Sequence, residues 1–154
     1  MIELKTHSPE ETRALGEAIG RRLEPGDVVC LSGTLGAGKT VLAQGIGRGL
    51  DVADPVCSPT FALVQQYAGR LPLWHLDTYR VGSLDELVDL GWEDLLRDGS
   101  VVLVEWPERI APALPPERLE ISLEYGEGDT RRMRLRPHGE RMGGLLAELG
   151  LTST

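Results

Sequence analysis

The feature that most constrains this chain is segment 33–40, which reads GTLGAGKT and fits the pattern G-x-x-x-x-G-K-[ST]. The apolar run Val28, Val29, Cys30 and Leu31 comes before it and predicts a buried strand. Leu42, Ile46 and Leu50 follow it four residues apart and predict a helix. Between a strand and a helix, this pattern indicates a loop whose backbone N–H groups hold phosphate oxygens. The segment therefore predicts a nucleoside triphosphate site.

Each position of this loop has its own expected role. We expect Lys39 to reach the β- and γ-phosphates and the Thr40 hydroxyl to bind Mg²⁺. The remaining phosphate contacts are expected from the loop residues before Lys39, which are Thr34, Leu35, Gly36, Ala37 and Gly38. The predicted cofactors are therefore a nucleotide and Mg²⁺.

A magnesium–phosphate site also needs carboxylates, which usually come from the end of a neighbouring strand. Glu105 follows four consecutive apolar residues, a pattern typical of a parallel strand that is buried on both faces. Asp77 ends a second strand-like run. Both are candidates, and the sequence leaves open which of them contacts the metal directly. A surface position at a strand end is the alternative for either, and for Asp77 the two interpretations are equally supported.

A loop after the first helix of the nucleotide unit contains Ser58 and Thr60, separated by a proline. Segments that sense the γ-phosphate lie at this place in such proteins, although a simple Ser-Pro turn explains the same residues. Phe61, the only phenylalanine, is either an exposed partner contact or a core residue that begins a strand.

The remaining patterns predict a single P-loop NTPase-like α/β domain over residues 1–154. Ser8 and Ser83 each begin a capping box and so predict helix starts. The pattern predicts hairpins over 60–77 and 119–136, a proline-rich connecting loop from Pro107, and a C-terminal helix around Met142. We expect a mixed sheet with a parallel centre and antiparallel hairpins, and helices on both faces.

Charge and composition exclude several classes of function. A net charge of −8 argues against a broad nucleic-acid surface. Arg132, Arg134 and Arg136 share one face of a predicted strand, and we favour a solvated face paired with Glu120 and Glu124. The sequence has no apolar run that could span a bilayer and no signal-peptide pattern, so a cytoplasmic location without membrane contact is expected. The two cysteines have no metal-ligand spacing.

Five motifs occur in this chain, at segments 33–40, 58–61, 75–80, 87–91 and 104–108. In their order and spacing they resemble the TsaE family, bacterial P-loop ATPases of tRNA threonylcarbamoyladenosine biosynthesis. The resemblance runs from about Glu11 to Pro137. It implies that Lys39 holds phosphates, Thr40 binds Mg²⁺ and Thr60 is the switch-loop threonine. It also implies that Asp77 and Glu105 serve the metal and hydrolysis and that Trp106 lies beside the nucleotide. Val41 departs from the family pattern, because many relatives have a second hydroxyl residue there.

The resemblance further implies an ATPase that works with proteins of the TsaB and TsaD types. In the family, those two partner proteins form a heterodimer that transfers a threonylcarbamoyl group to the adenosine beside a tRNA anticodon. We expect tRNA to contact this chain only through its complex with that heterodimer. ATP is favoured over GTP because no Asn-Lys-x-Asp motif is present. An ATP-loaded assembly module without significant hydrolysis is the alternative, and a small-metabolite kinase is a third, less favoured one.

Overall fold

The computed structural model describes residues 1–33, 38–53, 56, 64–78 and 83–151. Its strands are β1 (Ile2–Thr6), β2 (Val28–Gly33), β3 (Val64–Tyr67), β4 (Leu73–Asp77), β5 (Val101–Glu105), β6 (Arg118–Tyr125) and β7 (Arg131–His138). Its α-helices are α1 (Pro9–Arg22), α2 (Lys39–Gly49), α3 (Leu84–Asp89), α4 (Trp92–Arg97) and α5 (Glu140–Glu148), and a 3₁₀ helix spans Pro107–Ala113.

The seven described strands form one sheet in the order β1-β7-β6-β2-β5-β4-β3. At its centre, β2 pairs in parallel with both β5 and β6, and β4 pairs in parallel with β5. The outer pairs, β1 with β7, β6 with β7 and β3 with β4, are antiparallel. The predicted mixed sheet with a parallel centre and antiparallel hairpins is confirmed.

Helices cover both faces of this sheet, as expected. On one face, Val29 and Leu31 of β2 belong to a large apolar cluster with Ile19 of α1, Ile46 of α2 and Leu145 of α5. The opposite face has a smaller cluster, in which side chains of β2 and β5 pack with those of α3, α4 and the 3₁₀ helix. The central strands are therefore buried on both sides, which explains their continuous apolar sequence.

Helices α1 and α2 approach each other so closely that glycines are required where they meet. A Cβ atom on Gly45 would lie 2.2 Å from the carbonyl oxygen of Arg13, and one on Gly20 would lie 2.4 Å from that of Ile46. Gly16 and Gly49 lie at equally tight positions. Interior glycines weaken a helix by about 1 kcal/mol each relative to alanine. Packing of α2 against α1 offsets that cost, and α2 continues to Gly49.

Both predicted capping serines are present at helix starts, since Ser8 accepts a hydrogen bond from the Glu11 N–H and Ser83 accepts one from the Glu86 N–H. Two elements differ from the prediction. Strand β1, which was not predicted, is a short edge strand that pairs with β7. Segment Pro107–Ala113, predicted as a connecting loop, is a 3₁₀ helix. Proline suits the first turn of a helix, and short 3₁₀ segments commonly serve as connectors.

On the arginine-bearing face of β7, formed by Arg132, Arg134 and Arg136, the expected pairing with acids is confirmed in part, at Arg134 and Glu124. Arg134 lies 3.3 Å from Glu3 of β1 and 3.9 Å from Glu124 of β6. Glu120 pairs instead with Arg118 and His138. Partial burial raises the pKa of Glu120, but the hydrogen bonds from Arg118 and His138 outweigh it and lower that pKa overall. Among the described helices, none has both the length and the apolar composition needed to cross a bilayer.

The contact between α1 and α2 generates a prediction for stability. Gly45→Ala places a methyl group against the backbone of α1, which cannot move aside, so we expect the free energy of unfolding to fall by about 1–3 kcal/mol. Gly143→Ala in α5 is the matched control, because no atom lies within 4 Å of its added Cβ. That control should raise stability by up to about 1 kcal/mol through helix propensity. Urea unfolding measures both, and equal stability of Gly45→Ala and the parent would contradict this packing.

Candidate functional site

The two ends of the predicted phosphate loop lie where the motif requires them. Strand β2 ends at Gly33 and helix α2 begins at Lys39, with Gly38 as its N-cap in a left-handed conformation of φ 101°. A Cβ on Gly33 would lie 2.4 Å from the carbonyl oxygen of Leu123, so only glycine fits between β2 and β6 there. Thr34, Leu35, Gly36 and Ala37, predicted to contact phosphates, lie outside the described residues.

Lys39 is buried, with 6% of its surface exposed, and its amino group lies over an aromatic ring. The distance from Lys39 Nζ to the centroid of the Trp106 ring is 3.9 Å, which is a cation–π contact. Thr40, the next residue of α2, is exposed. The structure thus brings together two of the predicted nucleotide-binding residues, Lys39 and Trp106, which are far apart in the sequence.

The two candidate carboxylates lie side by side at the ends of neighbouring parallel strands. Asp77 of β4 is the register partner of Glu105 of β5, so their side chains lie on the same face of the sheet. Glu105 is buried and Asp77 is half-buried. On its other side, Glu105 is the register partner of Leu31 of β2. The phosphate loop follows β2 and therefore begins on the strand next to the one that bears Glu105.

His75 is a residue of this site that the sequence analysis did not identify individually. Its Nε2 lies 2.7 Å from Oε2 of Glu105, and both side chains are buried. His75 precedes Asp77 by two residues on β4, so both side chains point to the face that Glu105 occupies. The two-residue spacing of His75 and Asp77 was the sequence signal that could have identified the histidine. That spacing pointed to Glu105 only once the pairing of β4 with β5 was known. The histidine fixes the position of the Glu105 carboxylate.

Thr78 fixes the backbone that follows β5. Its buried hydroxyl lies within hydrogen-bond distance of the carbonyl oxygens of Glu105 and Trp106, at 2.7 Å from the former. Trp106 itself has φ 62°, a left-handed conformation that costs a bulky residue about 1–3 kcal/mol. Its N–H donates to the carbonyl oxygen of Leu31 at 3.1 Å. These bonds hold Trp106 in the position where its ring contacts Lys39.

The donor types at this edge of the sheet fit magnesium bound together with a nucleotide. Across the described residues, no cluster of three or more His, Cys, Asp or Glu side chains is arranged to hold a metal ion by itself. Mg²⁺ is usually held by one or two carboxylates and by substrate phosphates, with water completing its shell. The Thr40 hydroxyl and the carboxylates of Asp77 and Glu105 are oxygen donors of that kind.

Cys30 of β2 lies in the core, and its side chain is fully buried. Burial raises the pKa of the Cys30 thiol to about 12, which disfavours the thiolate form that acts as a nucleophile. The predicted switch residues Ser58 and Thr60, and with them Phe61, lie outside the described residues. Their role therefore stays a prediction.

Comparisons with known proteins agree with one another. The family model described as "Threonylcarbamoyl adenosine biosynthesis protein TsaE" matches residues 6–133. A tRNA threonylcarbamoyladenosine biosynthesis protein TsaE from Nostoc sp. is 39% identical over 151 residues, covering 96% of this chain and 93% of the relative. The Bacillus subtilis protein of the same name is 40% identical over 149 residues, with the same two coverages.

A solved structure supports the same assignment. The crystal structure of Bacillus subtilis YdiB superposes with a TM-score of 0.78 at 35% sequence identity, covering 97% of this chain and 96% of that one. The resemblance that five motifs indicated is thus found over nearly the whole length, both in sequence and in fold. This chain belongs to the TsaE family of tRNA threonylcarbamoyladenosine biosynthesis proteins.

Proposed function

We propose that this chain is a Mg²⁺-dependent ATPase subunit that supports turnover of a TsaB–TsaD-type transferase in tRNA threonylcarbamoyladenosine formation. The observation that carries the proposal is the position of Lys39. Its ammonium group is buried at the start of α2 and lies over the Trp106 ring. The loop before α2 follows β2, the strand that pairs with β5, and β5 ends in Glu105. A buried cation at a helix N-terminus beside a carboxylate pair is what phosphoryl chemistry on a nucleotide needs.

Phosphate oxygens stabilise the Lys39 ammonium group more than the Trp106 ring does. An ammonium group over an exposed aromatic face gains about 0.5–1 kcal/mol, and about 2 kcal/mol or more where it is desolvated. Charge-assisted hydrogen bonds to phosphate oxygens are among the strong polar contacts in proteins. We therefore assign to the Trp106 ring the role of holding Lys39 beside the loop until the β- and γ-phosphates replace it.

The Thr40 hydroxyl and the carboxylates of Asp77 and Glu105 are the groups that would hold Mg²⁺. When bound, the ion neutralises charge on the phosphate oxygens. We assign Glu105 a second role, which is to orient the attacking water. That role needs a carboxylate in a fixed position, and the 2.7 Å hydrogen bond from His75 supplies one.

The rest of the proposal concerns partners. A chain with a net charge of −8 repels a polyanion, and Arg134 on the arginine-bearing face is already paired with Glu3 and Glu124. These observations favour contact with tRNA only through the TsaB and TsaD partners. The switch role of Ser58 and Thr60 is part of this proposal, since a loop that senses the γ-phosphate can report it to a partner only by contact.

Lys39→Ala tests the binding half of the proposal. We expect loss of measurable ATP binding, because the loop backbone cannot replace a point charge at the β- and γ-phosphates. The matched control is Lys5→Ala, since Lys5 is the only other lysine and is exposed on β1. Isothermal titration with MgATP measures both variants. Unchanged ATP affinity in Lys39→Ala would contradict the assignment of segment 33–40 as the phosphate-binding loop.

Glu105→Gln tests the catalytic half. We expect ATP affinity within several-fold of the parent but hydrolysis slower by about 10² or more, since the amide cannot accept a proton or bind the metal as a carboxylate does. Asp77→Asn should mainly raise the Mg²⁺ concentration at which hydrolysis reaches half of its maximal rate. Glu108→Gln is the control, because Glu108 is an exposed acid three residues later.

Steady-state hydrolysis is measured with and without the TsaB–TsaD-type heterodimer. Stimulation by the heterodimer in the parent, lost in Glu105→Gln, supports a hydrolysing subunit. Stoichiometric ATP binding without any stimulation would replace the proposal with the ATP-loaded assembly module. If Glu105→Gln and Asp77→Asn both match the parent in a magnesium titration, neither carboxylate serves the metal.

A further inference from the structure

The two faces of the sheet are covered to different extents. On the face opposite α1, α2 and α5, the smaller apolar cluster includes side chains of β2, β4 and β5 but none of β6, β7 or β1. Among the described elements, these three strands therefore have no apolar cover on that side. We call this surface, which includes the arginine-bearing face of β7, the open face. It consists of the polar and charged side chains that alternate with the core residues of the three strands, which are Glu3, Lys5, Glu120, Ser122, Glu124, Arg132, Arg134 and Arg136.

Lys5 and Arg132 form the first of two cationic points on the open face. These residues are cross-strand partners on β1 and β7, and both are exposed. Within the described ranges neither forms an ion pair, since Glu124, opposite Arg132 on β6, lies 3.9 Å from Arg134 instead. Glu3 is also paired with Arg134, at 3.3 Å. The positive charge in the middle of the open face is thus neutralised, whereas the first cationic point keeps its charge.

Arg136 forms the second cationic point, towards the other end of β7. Its cross-strand partner on β6, Glu120, is paired with Arg118 and His138 instead. The Arg136 Nη2 atom lies 3.7 Å from Sδ of Met1, and a thioether sulfur is a weak acceptor. In the part of the chain that the structure describes, this exposed guanidinium group therefore has no carboxylate partner.

Each cationic point borders a hollow in the open face. The hollow at the first point has a volume of about 430 Å³, and the hollow at the second has a volume of about 280 Å³. Arg134 and Ser122 line both hollows, so the two adjoin. The second hollow is also lined by Ser32 of β2, which immediately precedes the first glycine of the phosphate loop. A chain segment seated in it would contact the strand that leads into the nucleotide site.

The charge pattern of the open face indicates what kind of partner fits it. The two cationic points are local exceptions in a chain with a net charge of −8, and they favour an anionic partner. Arg132 and Arg136 are four residues apart on one strand, which separates them by about 14 Å. A polypeptide can place one carboxylate at each point and neutral residues between them. A continuous polyanion such as RNA would also bring phosphates against Glu3 and Glu124 in the middle.

From these observations we propose that the open face is the docking surface for an acidic segment of the TsaB–TsaD-type heterodimer. Two carboxylates of that segment, about 14 Å apart, bind at the two cationic points, where arginine can hold a carboxylate through two parallel hydrogen bonds. This inference rests on the proposed function and adds to it the surface through which the partner binds. Because the second hollow reaches Ser32, docking there connects the partner with the strand that carries the phosphate loop.

The double variant Arg132→Ala/Arg136→Ala tests this proposal by isothermal titration with the purified heterodimer in the presence of MgATP. At about 0.05 M salt we expect its Kd for the heterodimer to rise about tenfold, through the loss of two exposed charge pairs. The difference from the parent should shrink at about 0.5 M salt, because ions screen such pairs. Arg48→Ala/Arg97→Ala is the matched control. It removes the same charge from two exposed arginines, on α2 and α4, that lie outside the open face.

The double variant should bind MgATP as the parent does, since neither arginine belongs to the nucleotide site. Unchanged affinity for the heterodimer would overturn the docking surface, as would an equal loss in the control or a matching loss of MgATP affinity. Binding of tRNA by the isolated parent that the double variant loses would also overturn it, because the occupant would then be a nucleic acid. A parent chain that does not bind the heterodimer would overturn the proposed partnership itself, which distinguishes the two failures.

Discussion

The parallel pairing of β2 with β5 determines where each group of the candidate site lies. Its register runs from Val28 with Val102 to Leu31 with Glu105, and Trp106 extends it with a backbone hydrogen bond to Leu31. The strand before the phosphate loop and the strand that bears the carboxylate thus end at the same level. Ligands of open parallel sheets bind at the carboxyl ends of the strands for this reason. A shift of this register would separate Lys39 from both Glu105 and Trp106.

Around that pairing, each neighbouring element fixes one part of the site. Strand β4 contributes His75, which positions the Glu105 carboxylate, and Thr78, directly after β4, holds the backbone that follows Glu105. Helix α1 packs against the glycines of α2 and so holds the helix that begins with Lys39. Two features of the site are unfavourable, the left-handed backbone of Trp106 and the burial of the Lys39 ammonium group. The neighbouring elements and the cation–π contact offset their cost.

The sequence was sufficient to predict those features that depend on local pattern. The loop 33–40 and its flanking strand and helix follow from one motif, and Glu105 follows from the apolar run before it. The contact of His75 with Glu105 was not predictable, because it depends on how two distant strands pair. The same is true of Arg131 beside Gly38, a contact between residues 93 positions apart in the chain. Strand β1 is short, and its pairing with β7 stabilises it as a strand. The sequence pattern of residues 2–6 alone was therefore too weak to predict it.

The central claim is that a nucleotide lies across the end of β2, with its terminal phosphates between Lys39 and Glu105. A crystal structure of the chain with Mg²⁺ and a non-hydrolysable ATP analogue tests it most directly. The account predicts that Lys39 Nζ leaves the Trp106 ring and contacts β- and γ-phosphate oxygens, while Glu105 keeps its hydrogen bond to His75. An analogue bound elsewhere, such as on the arginine-bearing face of β7, with Lys39 still over Trp106, would contradict the account.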